Sequence, residues 1–148
     1  MKFLILILSL TLIPTISRAQ LTNVISRSYV GTTEYQFALS KSELANASDW
    51  DPTEGVPRLS PGKASSLAKD YLDRITKGKT SVGGKRIAWQ LNSITLQKAS
   101  IDPERWVYKV GFVEDVSAYG SWAGLVANFD VIVYLSGNII DPVVSSQK

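Results

Sequence analysis

The sequence predicts an α+β domain in which one helix packs on a face of an antiparallel sheet of about four strands. Two observations carry that expectation. Residues 60–75 repeat apolar side chains at the helical period, and several other stretches alternate at the strand period. The connections after the helix are too short for parallel crossovers, so the strands are expected to be antiparallel neighbours in the order β-α-β-β-β.

Residues 1–19 read as an address rather than as part of the fold. Met1 and Lys2 supply a positive start, residues 3–13 an apolar run, Pro14 a break, and Ser17-Arg18-Ala19 the small-x-small pattern of signal cleavage. A membrane span needs about 20 apolar residues, and this run stops at Pro14. The mature chain is expected to begin at Gln20, to be secreted or periplasmic, and to keep no membrane span after cleavage. No cysteine follows the cut, which excludes lipid attachment there.

Residues 20–33 are polar and irregular, with Val24, Ile25, Tyr29 and Val30 as the only apolar anchors, and are expected to form a flexible arm. Tyr35, Phe37 and Leu39 then share one side of a first strand. Residues 41–45 are expected to make a turn of helix. Residues 46–61 form a loop, because Pro52, Pro57 and Pro61 interrupt both ladders and helices. Trp50 is its one large apolar anchor. Asn46-Ala47-Ser48 matches a glycosylation sequon, which matters only in a eukaryotic secretory route.

Ser60 is placed to cap the helix and Pro61 occupies its first position. Ala64, Leu67, Ala68, Tyr71, Leu72 and Ile75 then form one apolar stripe, with Gly78 as the stop. A helix with one face to bury needs a sheet. Ile87, Trp89 and Leu91 alternate, and Ile94 and Leu96 continue in the opposite phase, so a bulge is expected near Asn92-Ser93. Trp106, Tyr108, Val110 and Phe112 give the next strand; Phe129, Val131, Val133 and Leu135 give the last. The domain is expected to span residues 34–142, with 143–148 as a polar tail.

Composition excludes several functions. The 148 residues contain no cysteine and no histidine, which removes the usual zinc sites, Cys nucleophiles, Ser-His-Asp triads and disulfide frameworks. The net charge of +3 falls to +1 once Lys2 and Arg18 leave with the leader. Lys77, Lys79, Lys85 and Arg86 flank a turn without making a phosphate-tracking stripe, so no nucleic-acid partner is expected.

The constellations that could carry chemistry are weak. Residues 78–85 are glycine-rich, yet Gly84 stands where a phosphate loop needs lysine, and the segment leaves a helix rather than opening one. Glu114 and Asp115 are adjacent on a strand and point to opposite faces, while Asp49 and Asp51 sit beside Pro52. Neither pair fixes two carboxyls across a cleft, as glycoside hydrolysis requires. Asp130 projects from the side opposite Phe129. Ser60 and Lys63 have Ser-x-x-Lys spacing, but a helix cap accounts for it and the companion motifs are missing. Exposed aromatics are the better lead. Trp89 and Trp106 are in phase with the core, whereas Trp50 and the pair Tyr119 and Trp122, in Tyr119-Gly120-Ser121-Trp122-Ala123-Gly124, are candidate partner contacts.

Leu59-Ser60-Pro61-Gly62-Lys63-Ala64 leading into Leu67-Ala68, the strand over residues 106–112 and the closing stretch over residues 131–140 resemble the PepSY module and, more broadly, the cystatin-like helix-on-sheet arrangement. The layout is also similar to small uncharacterised exported bacterial proteins with a Trp-x-Pro loop before the helix, here Trp50-Asp51-Pro52. The resemblance covers residues 34–142. PepSY modules occur in propeptides of secreted peptidases and as stand-alone envelope proteins, so it implies a peptidase-modulating role. No cystatin inhibitory loop is present.

The expected function is an exported, non-catalytic binding module without cofactor or metal, contacting a protein or glycan of the cell envelope. The alternatives are a carboxylate-dependent enzyme acting on cell-wall glycans and a structural envelope component.

Overall fold

A computed structural model describes residues 23–47, 50–80, 84, 86–101, 104–117 and 126–146. The expected leader, residues 81–83 of the glycine-rich stretch and the loop carrying Tyr119 and Trp122 lie outside the described residues. The α+β class is observed, but the sheet differs from the expectation. Six strands form two antiparallel three-stranded sheets, with one long helix.

Strands β1 (Asn23–Val30) and β2 (Thr33–Leu39) form a hairpin. Gly31, at φ +59°, takes the first of the two loop positions, where a primed turn demands positive φ. The stretch expected to be a flexible arm is therefore largely strand. Its inward side carries Ser26 and Ser28 beside Val30, with Ser28 and Val30 buried while Val24 and Tyr29 are exposed, so serine breaks the hydrophobic alternation that identifies a half-buried strand. Helix α1 (Lys41–Asn46) follows. Ser40 and Glu43 close a capping box at its start, each side chain bonding the other's backbone N–H.

The loop beyond α1 contains a 3₁₀ turn at Pro52–Glu54, whose first amide is taken up by Asp51. Helix α2 (Pro61–Ile75) begins as expected, with the Ser60 hydroxyl accepting the Lys63 N–H at 3.2 Å. The Ser-x-x-Lys spacing is thus a cap in the folded chain. Ala64, Ala68, Tyr71 and Leu72 are buried, and the two alanines let the helix lie close to the sheet beneath.

That sheet consists of β3 (Trp89–Ile101), β4 (Glu104–Glu114) and β5 (Asn128–Tyr134). The expected bulge is observed, as a register shift between Leu91 and Ser93, and a second lies between Lys98 and Ser100. Helix α2 covers the face that bears Trp89, Tyr108 and Phe112. The Tyr108 hydroxyl donates to the Leu59 carbonyl at 2.9 Å, and the Trp89 indole N–H to the Thr76 hydroxyl at 3.2 Å.

The last correction concerns the C-terminus. Four residues of the expected tail form β6 (Val143–Ser146), paired antiparallel with β2. All four are exposed, and the strand is held by its backbone pairing with one side-chain bond from the Ser145 hydroxyl to Glu34 at 3.3 Å, which leaves no buried apolar pattern to read. The order in the first sheet is β1-β2-β6, and in the second β3-β4-β5.

Phe129 joins the two sheets. Fully buried, its ring meets Tyr35 at 5.0 Å, Phe37 at 6.0 Å and Trp89 at 5.8 Å, all edge-on. Beside it the edges of β1 and β5 are clasped by polar bonds. Asp130 donates its N–H to the Ser28 hydroxyl at 2.8 Å and accepts the Ser26 hydroxyl at 2.7 Å. Further along, the returning chain closes the same edge of β5 through Ile140 N–H to Ile132 O at 3.0 Å and Tyr134 N–H to Asn138 O at 2.8 Å.

Gly111 is required by its neighbours rather than by its backbone angle. A Cβ there would stand 2.5 Å from the Ser93 hydroxyl and 3.2 Å from an Asp130 carboxylate oxygen. Gly111→Ala is expected to destabilise the fold by about 1–3 kcal/mol through overpacking. Adding Ser93→Ala removes the closest obstructing atom and is expected to recover most of that loss, a coupling readable by denaturant titration of the four-member cycle.

Candidate functional site

A candidate contact surface lies between α2 and β3. A groove of about 340 Å³ is lined by Ser65, Ser66, Lys69 and Asp70 of the helix and by Leu91 and Phe112 of the sheet. Leu91 pairs with Phe112 across β3 and β4. Its position at the sheet's outer strand puts it beyond the cover of α2, and it stays 51% exposed. The Phe112 ring is buried, so the groove has an apolar floor on one side only.

The helical wall is polar. The Ser65 and Ser66 hydroxyls turn back to the Gly62 carbonyl at 2.9 and 3.1 Å, and Lys69 pairs with Asp73 one turn on. Asp70 is the one carboxylate among the groove's lining residues, and Leu91 and Phe112 occupy the facing wall. A two-carboxylate hydrolysis would need a second acid on that wall.

At the N-terminal end of α2 the aromatics continue the same face of the sheet. Trp50 stands edge-on to Trp106 at 5.3 Å, and Lys98 lies over the Trp106 ring at 5.3 Å while pairing with Glu104 at 3.0 Å. The Trp106 indole N–H donates to Glu104 at 2.8 Å. Trp50 is partly buried against the core, and its ring nitrogen is enclosed without a hydrogen-bond partner. The structure therefore places Trp50 in a packed cluster, while Tyr119 and Trp122 lie outside the described residues and are not brought to it.

The described acids among those weighed from the sequence hold local structure, and Asp49 lies outside the described residues. Asp51 accepts both the N–H and the hydroxyl of Thr53, at 2.8 and 2.7 Å, which keeps its carboxyl below the usual range. Asp115 likewise accepts the Ser117 N–H at 2.9 Å and is lowered chiefly by its bonds to Ser117. Glu114 is buried at the end of β4, where it accepts the Ala127 N–H at 3.4 Å. Asp130 takes the Ser26 hydroxyl and sits 3.8 Å from Lys109. No group of three or more His, Cys, Asp or Glu that could hold a metal occurs among the described residues, and no helix among them is long and apolar enough to cross a membrane.

The groove residues were legible only as background. Leu91 reads as core because it is in phase with Trp89, and Ser66, Lys69 and Asp70 read as the solvated side of the helix. The signal that could have separated them is charge: residues 89–97 contain no charged side chain, an unusual gap for a strand left at a sheet edge. Compared with known protein families, with curated proteins and with solved structures, the chain matches none.

Away from the groove, burial shifts the pKa of two tyrosines. The Tyr71 hydroxyl donates to Asp141 at 2.8 Å, and burial together with that bond pushes its phenol well above the ordinary range. Tyr134 has a buried hydroxyl with no hydrogen-bond partner, and burial, with a smaller contribution from the Glu43 charge, raises its pKa from 10.0 to about 12.

A raised phenol pKa stabilises the fold fully below the unfolded value and loses that contribution as pH climbs through the folded one. Stability is therefore expected to fall between pH 10.0 and about 12. Tyr134→Phe is expected to shallow that fall, leaving the parts due to Tyr71 and Tyr108. At pH 7 it is expected to leave stability unchanged or raise it by about 1 kcal/mol, because an unpaired buried hydroxyl is removed. Thermal unfolding of both proteins from neutral to alkaline pH checks both outcomes.

Proposed function

We propose that the chain is an exported, non-catalytic binding module of the cell envelope, and that the α2–β3 groove is its principal contact surface. The observation that carries this reading is the half-exposed Leu91 over the Phe112 ring, walled by Lys69 and Asp70. An apolar floor beside a short polar wall suits an apolar side chain of a partner protein, with charged groups fixing its orientation. Tyr119 and Trp122 are a second proposed contact. The resemblance to PepSY modules makes a secreted peptidase the first partner class to try, with modulation of its activity as the effect.

The expected outcome is capture of an envelope protein by residues 20–148, identified by mass spectrometry and then titrated as a purified partner. Leu91→Arg is expected to weaken that binding by roughly tenfold or more, the scale of a lost interface anchor, with an unchanged far-UV circular dichroism spectrum. Equal affinity for Leu91→Arg would remove the groove from the interface, and equal affinity for a Tyr119→Ala, Trp122→Ala double variant would remove the loop. Trp50→Ala is a poorer probe, since its packing on Trp106 makes it a folding variant.

A further inference from the structure

We infer that the outer edge of β3 from Ser93 to Gln97 accepts an extended peptide as an added antiparallel strand, whose helix-side residues enter the α2–β3 groove. The inference rests on the groove's being a contact surface and names its occupant. Strand β3 forms one edge of its sheet, with no strand pairing along its outer side among the described residues. Such an edge presents backbone N–H and C=O groups to solvent, and proteins usually guard it with lysine, proline or a covering segment. Residues 89–97 carry no charge and no proline. The strand's one lysine, Lys98, lies over the Trp106 ring of β4 at 5.3 Å and pairs with Glu104 at 3.0 Å, so it is directed to β4 and leaves the run before it unguarded.

The groove opens on the side to which an added strand would point its side chains. Residues opposite one another on neighbouring strands share a face, and Leu91, Ile94 and Leu96 lie opposite Phe112, Val110 and Tyr108. Phe112 lines the groove with α2, and Tyr108 is bonded to Leu59 just before that helix. Peptide residues paired opposite Ile94 and Leu96 therefore project on the helix side. Leu91 is 51% exposed there and Ile94 and Leu96 are half-buried, which leaves an apolar flank to cover. Ser65, Ser66, Lys69 and Asp70 form the facing wall. A strand edge beside a pocketed wall lets backbone bonds supply affinity while alternate side chains supply specificity.

Length and charge set the occupant. The register of β3 on β4 shifts between Leu91 and Ser93 and again between Lys98 and Ser100, so it is unbroken only from Ser93 to Lys98. A bulge bends its strand, and the short stretch between two bulges matches a flexible segment better than a long strand of a preformed sheet. Antiparallel addition is the more stable per residue. Helix α2 runs opposite to β3, because Leu59 before it is bonded to Tyr108, opposite Leu96, and Thr76 after it is bonded to Trp89. Asp70 therefore lies toward the Leu91 end of the groove. Its carboxylate is exposed and joins no ion pair or hydrogen bond among the described residues, whereas Lys69 is paired with Asp73. The matching peptide carries apolar residues opposite Leu96 and Ile94, and a Lys or Arg next on the same side that passes the bulge toward Asp70.

The probe is the peptide acetyl-Thr-Leu-Thr-Leu-Thr-Lys-Thr-amide, titrated into residues 20–148, which include every described residue, with hydrogen exchange followed by NMR. Binding is expected with a Kd below about 1 mM. At saturation every second amide from Ser93 to Gln97, the set not bonded to β4, is expected to slow in exchange roughly tenfold or more. Leu91→Arg and Asp70→Lys, which set a like charge beside the peptide's lysine, are each expected to weaken it roughly tenfold or more. Two N-methylated probes test the backbone bonds without altering the protein, one methylated on both leucines and the lysine, the other on the inner threonines. One is expected to lose affinity roughly tenfold or more and the other to keep it, because only alternate N–H groups face β3. Equal affinity for the two, or saturation without slowed exchange on β3, overturns strand addition, as does a parent peptide that fails to bind at about 1 mM. The same amides slowing when the chain alone is concentrated makes a second copy the occupant and overturns the peptide. If the purified envelope partner is weakened by Leu91→Arg while the peptide leaves β3 exchange unchanged, the groove contact stands and strand addition falls. If Leu91→Arg alters neither, the groove contact itself falls.

Discussion

Burial of one ring, Phe129, is the constraint on which the rest of the structure depends. Each three-stranded sheet has an apolar face to bury, and Phe129 is the residue on which both faces converge. Tyr35 and Phe37 reach it from the first sheet and Trp89 from the second, each edge to face. Edge-on contacts suit this position because the positive rim of each neighbour meets the negative face of a ring, an arrangement that also sets the angle between the sheets. Through Trp89 the same cluster reaches Thr76, so the end of α2 is placed by the ring that joins the sheets.

The polar clasp beside it closes a weakness that apolar packing leaves open. Strands β1 and β5 are both edges, and edges brought together need partners for their backbone groups. Asp130 supplies one, its N–H going to Ser28, while its carboxylate takes the Ser26 hydroxyl. Serine at these inward positions is what hides β1 from a reading of hydrophobic period. The start and apolar stripe of the helix, by contrast, were legible, because Ser60, Pro61 and the run from Ala64 to Ile75 answer to local rules, whereas its end falls at Ile75 with Thr76 as the cap, ahead of the expected Gly78 stop. The strands β3, β4 and β5 and the bulge at Asn92 were legible for the same reason. Strand β6 was not, since four exposed residues held mainly by backbone bonds to β2 leave no buried apolar period.

The candidate site was less legible than the fold. Trp50 looked like a free anchor because it is a lone aromatic in a proline-rich loop, but that loop folds back and lays the ring against Trp106. Leu91 looked like core because it is in phase with Trp89. Its exposure follows from where α2 sits, over the middle of the sheet, and from β3's having a neighbour on one side alone. Period in a sequence tells which side chains share a face, whereas cover depends on which strand is outermost and how far the helix reaches.

The same difference marks out β3, where local rules agree and tertiary cover stops. From Trp89 to Gln97 the strand carries neutral side chains without the charges that normally guard an edge. Buried on both sides, such a run would be ordinary. Left at an edge beside a groove, it keeps Leu91 and its neutral neighbours in solvent, because among the described strands β3 has a neighbour on one side alone.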